Sequence, residues 1–200
     1  MNRLAMSLRY LPVILALALF ACDRPTATDL EPPLAGTSIG GPFELTGSDG
    51  KTVRWDDFAG RYRIVYFGFT YCPDVCPTDL QRLSKGLELF TEEEPARGTE
   101  IAPIFISVDP ERDTPERMGK YAAAFSDRLI GLTGTPEQIK QVAAEYGVAY
   151  GRGEDTPDGG YLVNHSTIAY LFGPEGEPIA TLPTDRGPQA VAEELRRWVR

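Results

Sequence analysis

The sequence predicts an α/β domain, a three-layer sandwich on a mainly parallel central sheet with an added N-terminal β-hairpin. Two observations predict it. Residues 63–69 (RIVYFGF) and 104–108 (IFISV) are short apolar runs rich in β-branched and aromatic residues, as strands buried on both faces are. Each is followed by apolar residues at helical spacing: Leu80, Leu83, Leu87 and Phe90 after the first, and Met118, Tyr121, Ala122 and Phe125 after the second. Strands alternating with helices give parallel neighbours joined by right-handed crossovers.

The other elements follow in chain order. Residues 42–45, a Ser48-Asp49-Gly50 turn and residues 52–55 read as the opening hairpin. A third short strand at 129–132 precedes a helix with Ile139, Val142, Ala143 and Tyr146 on one face. Residues 167–172 (TIAYLF), a Gly173-Pro174-Glu175-Gly176 turn and residues 179–182 make a second hairpin, and Val191, Leu195 and Trp198 mark a terminal helix. Cys76-Pro77, Thr114-Pro115, Thr135-Pro136 and Gly187-Pro188 each place proline at the first helical position, where its missing N–H costs nothing. Thr135 with Gln138 forms a capping box.

The N-terminal end reads as an address. Arg3 and Arg9 precede a mostly apolar stretch at 10–21, too short to span a bilayer core that needs ~20 apolar residues. Residues 1–21 are expected to be an export signal. Leu19-Phe20-Ala21-Cys22 resembles the lipobox of bacterial lipoproteins, with cleavage before Cys22 and lipid attached to it, although Phe20 is bulkier than usual there. Asp23 then favours retention on the bacterial inner membrane, with the domain in the periplasm. An ordinary secretory signal with an incidental Cys22, or an uncleaved anchor, are the alternatives. Residues 22–38 read as a lipid-anchored, Pro- and Thr-rich tether, and 39–200 as the single domain. The formal net charge of −9, lowered by a further two when Arg3 and Arg9 leave with the signal, excludes a nucleic-acid ligand, whose phosphates require Lys and Arg.

The chemistry concentrates in Cys72-Pro73-Asp74-Val75-Cys76-Pro77, where the first buried strand turns into a helix. The chain has three cysteines and one histidine. With Cys22 on the membrane, Cys72 and Cys76 remain, and a disulfide closing so short a loop stabilises weakly. Cys76 at a helix N-terminus is expected to favour the thiolate. Phe67, Phe69 and Tyr71 crowd the approach. Two soft thiolates and the imidazole of His165, just before the TIAYLF strand, make a set suited to copper. Structural zinc takes four protein ligands, and no further cysteine or histidine exists to complete them. The same cysteines could instead form a reversible redox pair. A P-loop and a Ser-His-Asp triad are excluded by spacing and by the single histidine.

Tyr71-Cys72-Pro73-Asp74-Val75-Cys76-Pro77, then residues 107–115 (SVDPERDTP) and later Asn164-His165-Ser166, resemble the SCO/SenC family over roughly residues 38–198. That resemblance implies a thioredoxin-like fold and a membrane-tethered copper protein serving the dinuclear copper site of cytochrome c oxidase. It implies that Cys72, Cys76 and His165 hold one copper per chain, as Cu(I) or Cu(II). Asp109 matches an acidic residue near the family's metal site, with a supporting role there or a plain turn-capping role at Asp109-Pro110. The implied partners are the copper-receiving oxidase subunit and a periplasmic thiol reductant or second copper chaperone. The competing reading is an extracytoplasmic thiol–disulfide oxidoreductase without copper delivery. Against it stand the CxxxC spacing and the absence, in residues 163–167, of the proline thioredoxins place before this strand. An accessory reduction of the target's cysteines is compatible with the copper role.

Overall fold

The computed structural model describes residues 30–157 and 159–200, so the expected signal and Cys22 lie outside the described residues. Residues 31–200 form one compact unit. Residues 31–38 of the stretch expected to be tether already belong to it: the Leu34 N–H donates to the Ile179 carbonyl at 3.0 Å, and Leu34 packs on the core. Among the described residues, no helix is long and apolar enough to cross a membrane.

The opening hairpin is β1 (Glu44–Gly47) with β2 (Thr52–Arg54). β3 (Tyr62–Gly68) leads through α1 (Val75–Glu93) and the short α2 (Pro95–Thr99) to β4 (Ile101–Ser107). α3 (Pro115–Ala123), β5 (Ile130–Thr133) and α4 (Pro136–Glu145) follow. A hairpin of β6 (Tyr150–Asp155) and β7 (Tyr161–His165) intervenes before β8 (Ala169–Phe172), β9 (Pro178–Leu182) and α5 (Pro188–Trp198).

Seven strands form one mixed sheet in the order β2-β1-β5-β4-β3-β8-β9, while β6 and β7 pair only with each other. The parallel part predicted from the βαβ pattern is its centre, β5-β4-β3; the hairpins on either side attach antiparallel. Every residue of β3 and β4 is buried, because helices cover both faces. Neighbouring side chains on β3 point oppositely. Tyr66 stacks on Phe105, which meets Tyr121 of α3, and its hydroxyl donates to Asp79 of α1. Phe67 meets Tyr146 at the end of α4. Hence α1 and α3 lie on one face and α4 on the other.

The Arg63 that interrupts the apolar run is buried on the α4 face. Its Nη1 donates to the Gly173 and Pro174 carbonyls, and its guanidinium lies 4.6 Å from the Trp55 ring centre. Such pairing offsets the cost of burying a cation.

α5 packs on α1 at Gly86. A Cβ there would stand 2.6 Å from Val191 and 2.9 Å from the Pro188 carbonyl oxygen, closer than side chains approach. In an exposed helix Gly→Ala gains ~1 kcal/mol, but overpacking a tight contact costs ~1–3 kcal/mol. Gly86→Ala is therefore expected to lower the urea midpoint of unfolding; a raised midpoint would show that α5 does not rest on this contact.

Candidate metal centre

Cys72 and Cys76 stand beyond the C-terminal end of β3, where open α/β sheets gather their binding residues. α1 begins at Val75 with Asp74 as N-cap, and the Asp74 side chain makes no capping bond. Cys76 is thus the second helical residue and Pro77 the third, deeper than the expected first position. Pro115, Pro136 and Pro188 do open their helices, and Thr135 and Gln138 do form the capping box. The difference at α1 is caused by a sulfur. Cys72 Sγ accepts the Cys76 backbone N–H at 3.3 Å, satisfying a first-turn donor that a capping side chain would otherwise take.

The helix terminus therefore acts on Cys72, which corrects the expectation that Cys76 carries the thiolate. The Cys72 thiol is drawn down to about 4, first by the hydrogen bond from the Cys76 thiol and then by the backbone N–H groups of Cys76 and Asp74, against the opposing effect of burial. Cys76 moves upward, because its bond to the Cys72 sulfur and its burial hold the proton. The pair shares one negative charge, and that charge rests on the half-buried sulfur. Cys76 packs directly against Gly68: a Cβ there would lie 2.9 Å from its Sγ and 3.0 Å from the Phe105 ring.

His165 comes to the cysteines from a direction the sequence does not predict. It is the last residue of β7, paired opposite Tyr150, rather than the lead-in to the following strand. Its Nε2 lies 3.1 Å from Cys76 Sγ, and its Nδ1 lies 2.9 Å from the Ser166 carbonyl oxygen. A carbonyl oxygen only accepts, so Nδ1 carries the hydrogen and the Nε2 lone pair faces the sulfurs. Phe69 and Tyr66 meet the imidazole edge-on at 5.8 and 6.5 Å between ring centres. The donor atoms of Cys72, Cys76 and His165 all lie within 4.8 Å of one another, and among the described residues no other His, Cys, Asp or Glu group forms such a set.

Asp109 is not part of it. Its buried carboxylate pairs with Arg112 and accepts from the Tyr161 hydroxyl at 2.9 Å, while its backbone carbonyl accepts the Arg112 and Asp113 N–H groups of the turn. It closes the turn, and it reaches the cysteine loop only through Arg112, whose guanidinium lies 4.7 Å from the Tyr71 ring centre. The residue that sequence reasoning passed over is Asp113, fully buried in the same SVDPERDTP stretch. It accepts from the Thr70 N–H, the Thr70 hydroxyl and the Ser107 hydroxyl, tying the cysteine loop to the end of β4. A second carboxylate in a strand-end loop was the available signal.

A family model described as SCO1/SenC matches residues 31–200. The chain is 47% identical over 146 residues to protein SCO1 homolog 1, mitochondrial, of Arabidopsis thaliana, covering 72% of this chain and 42% of that one. Copper-bound ScoI of Bradyrhizobium japonicum is 38% identical with a TM-score of 0.71, covering 80% of this chain and 99% of that one. BsSco, described as a member of the Sco family of cytochrome c oxidase assembly proteins with a disulfide switch, is 25% identical with a TM-score of 0.55, covering 80% and 92%. The chain spans about half the length of the first curated relatives it matches. The mixed sheet with helices on both faces is the thioredoxin-like arrangement of these Sco structures. With the match running the length of the compact unit, and with two cysteines and a histidine gathered at the end of its sheet, this chain belongs to the SCO1/SenC family.

Proposed function

We propose that the protein is a copper metallochaperone: it carries one copper per chain on Cys72, Cys76 and His165 and delivers it to the dinuclear copper site of a cytochrome c oxidase during assembly. The observation that carries this reading is the convergence of two sulfurs and one imidazole nitrogen within 4.8 Å. Soft sulfur donors with one imidazole select copper, and the set falls one ligand short of a structural zinc site. The copper-bound relative and the relative described as an oxidase assembly protein support the cargo and the destination.

The residues divide the work. Cys72, half-exposed and already a thiolate, is the sulfur an arriving ion or partner meets first. Cys76, buried, releases its proton as the ion binds, and His165 offers Nε2 toward the sulfurs. The same pair allows thiol–disulfide exchange as an accessory activity. The Cys72 thiolate attacks a disulfide of the copper-receiving protein, and Cys76 then displaces it. The target gains two thiols, and a Cys72–Cys76 disulfide remains for a periplasmic thiol reductant to reopen. In this reading Cys22 carries the lipid, and residues 1–21 direct the protein to the bacterial inner membrane with its domain in the periplasm.

X-ray absorption of the reduced, copper-loaded protein is expected to give two sulfurs and one nitrogen at the metal. His165→Ala should remove the nitrogen and weaken Cu(II) binding by about a hundredfold or more, since even outer partners of a ligand cost ~10–100-fold. Unchanged binding in that variant sinks the ligand assignment.

Because Cys72 is already ionised and Cys76 is not, binding displaces one thiol proton. Protons compete with the metal, so apparent affinity should rise with pH, by about tenfold per unit between pH 7 and 8.5. A flat profile in a competition titration would contradict this division of charge.

Mass spectrometry of the mature N-terminus is expected to find a diacylglycerol-modified Cys22. An unmodified Cys22 removes the lipid anchor.

A further inference from the structure

His165 depends on an element that is weakly built. β6 and β7 form a separate two-stranded sheet, and isolated hairpins are marginal in water. Val163 is the only buried residue of the two strands. At its base the hairpin is closed by Ser166 N–H to the Ala149 carbonyl and by Ala149 N–H to the Ser166 hydroxyl. Something further must fix where its histidine stands.

On β7, Tyr161, Val163 and His165 alternate with Leu162 and Asn164 and so share a face. Val163 enters the core and His165 meets Cys76. Tyr161 lands on Arg112, whose guanidinium is 3.6 Å from its ring centre. Arg112 also lies 4.7 Å from the ring centre of Tyr71, the residue before Cys72. Arg117 from α3 lies 4.7 Å from the Tyr71 ring, and Arg152 from β6 lies 4.0 Å from the Tyr161 ring. The order is Arg117, Tyr71, Arg112, Tyr161, Arg152: guanidinium and phenol groups in alternation. Asp109 holds Arg112 through Nε, whereas its Nη2 is buried with no hydrogen-bond partner, so ring contact rather than hydrogen bonding occupies that part of the guanidinium.

We propose that this alternating cation–π stack clamps the histidine hairpin to the cysteine loop, making Tyr161 and Arg112 positioning residues that set where His165 stands relative to the two sulfurs. It rests on the reading of Cys72, Cys76 and His165 as copper ligands. The loop on one side of the stack carries the sulfurs, the hairpin on the other carries the nitrogen, and Arg112 joins them.

The test uses Tyr161→Leu, Tyr161→Phe and Arg112→Met in the full chain. In the metal-free protein, Tyr161→Leu and Arg112→Met are expected to speed amide hydrogen exchange across β6 and β7 by about tenfold while β3 and β4 stay protected. The same two variants should weaken Cu(II) binding by about tenfold and shift the sulfur-to-copper charge-transfer absorption. Tyr161→Phe, which keeps the ring but loses the hydroxyl bonded to Asp109, should restore both. In a His165→Ala background, Tyr161→Leu should cost no further affinity, because the stack acts through the imidazole. The proposal is overturned if hairpin exchange is unchanged, if Tyr161→Phe is as damaging as Tyr161→Leu, or if the affinity loss persists without His165. If His165→Ala alone leaves copper binding intact, the ligand reading fails and takes the imidazole's part in the proposal with it. The metal-free exchange measurement still decides whether the stack is a clamp.

Discussion

The buried carboxylate of Asp113 is the contact on which the metal centre depends. A loop that carries two cysteines away from the end of a strand has no ladder to hold it, and its backbone groups need partners elsewhere. Asp113 supplies them from the next strand's loop, accepting from both the N–H and the hydroxyl of Thr70 and from the Ser107 hydroxyl. Burial pushes its carboxyl above the usual range, and those three hydrogen bonds pull back the other way. A carboxylate this deep persists only when its acceptor sites are filled. Filling them fixes Thr70, and with it the turn into α1. The Cys72 sulfur can then cap the helix, and Cys76 can occupy the space that Gly68 leaves open.

From that anchor the electrostatics follow. The two thiols sit in unlike surroundings: one accepts a backbone N–H at a helix terminus and is half-exposed, the other is buried against Gly68. Two adjacent thiolates would repel in a site with little water, so one proton stays, and it stays on the buried sulfur. The result is a site already charged enough to attract a cation, with its second charge withheld until something displaces the proton. Tyr66 serves the same end: its hydroxyl is committed to Asp79, leaving its ring to wall the imidazole.

What the sequence disclosed and what it hid separate along physical lines. β3 and β4 were legible because strands buried on both faces must be apolar throughout. α3, α4 and α5 were legible because proline at a first helical position is a local rule. The start of α1 was misjudged by two residues because its cap is a sulfur whose role exists only once the loop is folded. The hairpin of β6 and β7 was invisible for a related reason. The residues of β6 are polar and glycine-rich, four of its six are exposed, and the strand is interrupted by a register shift between Arg152 and Asp155. Only the short alternation of Tyr161, Val163 and His165 survives to be read, too brief to mark a strand by itself. The trio of Cys72, Cys76 and His165, which the fold brings together, was legible through scarcity and motif. Their approach directions were not.

The ligand set is therefore divided between elements of different stability. Cys76 is buried in the first turn of α1, and Cys72 stands half-buried in the loop that Asp113 ties to the end of β4. The histidine stands on a two-stranded hairpin with a single buried residue, held by ring contacts at one end and two hydrogen bonds at the other. Local opening follows the weakest packed element, so the imidazole can withdraw while the core and both sulfurs stay in place. For a permanent cofactor site that division would be a defect, because each opening loosens the metal. For a site that must give up its cargo it is a gain. Under the proposed delivery role, a partner's ligand would take the position His165 vacates, and transfer would need movement of one hairpin rather than unfolding of the sheet that carries the cysteines.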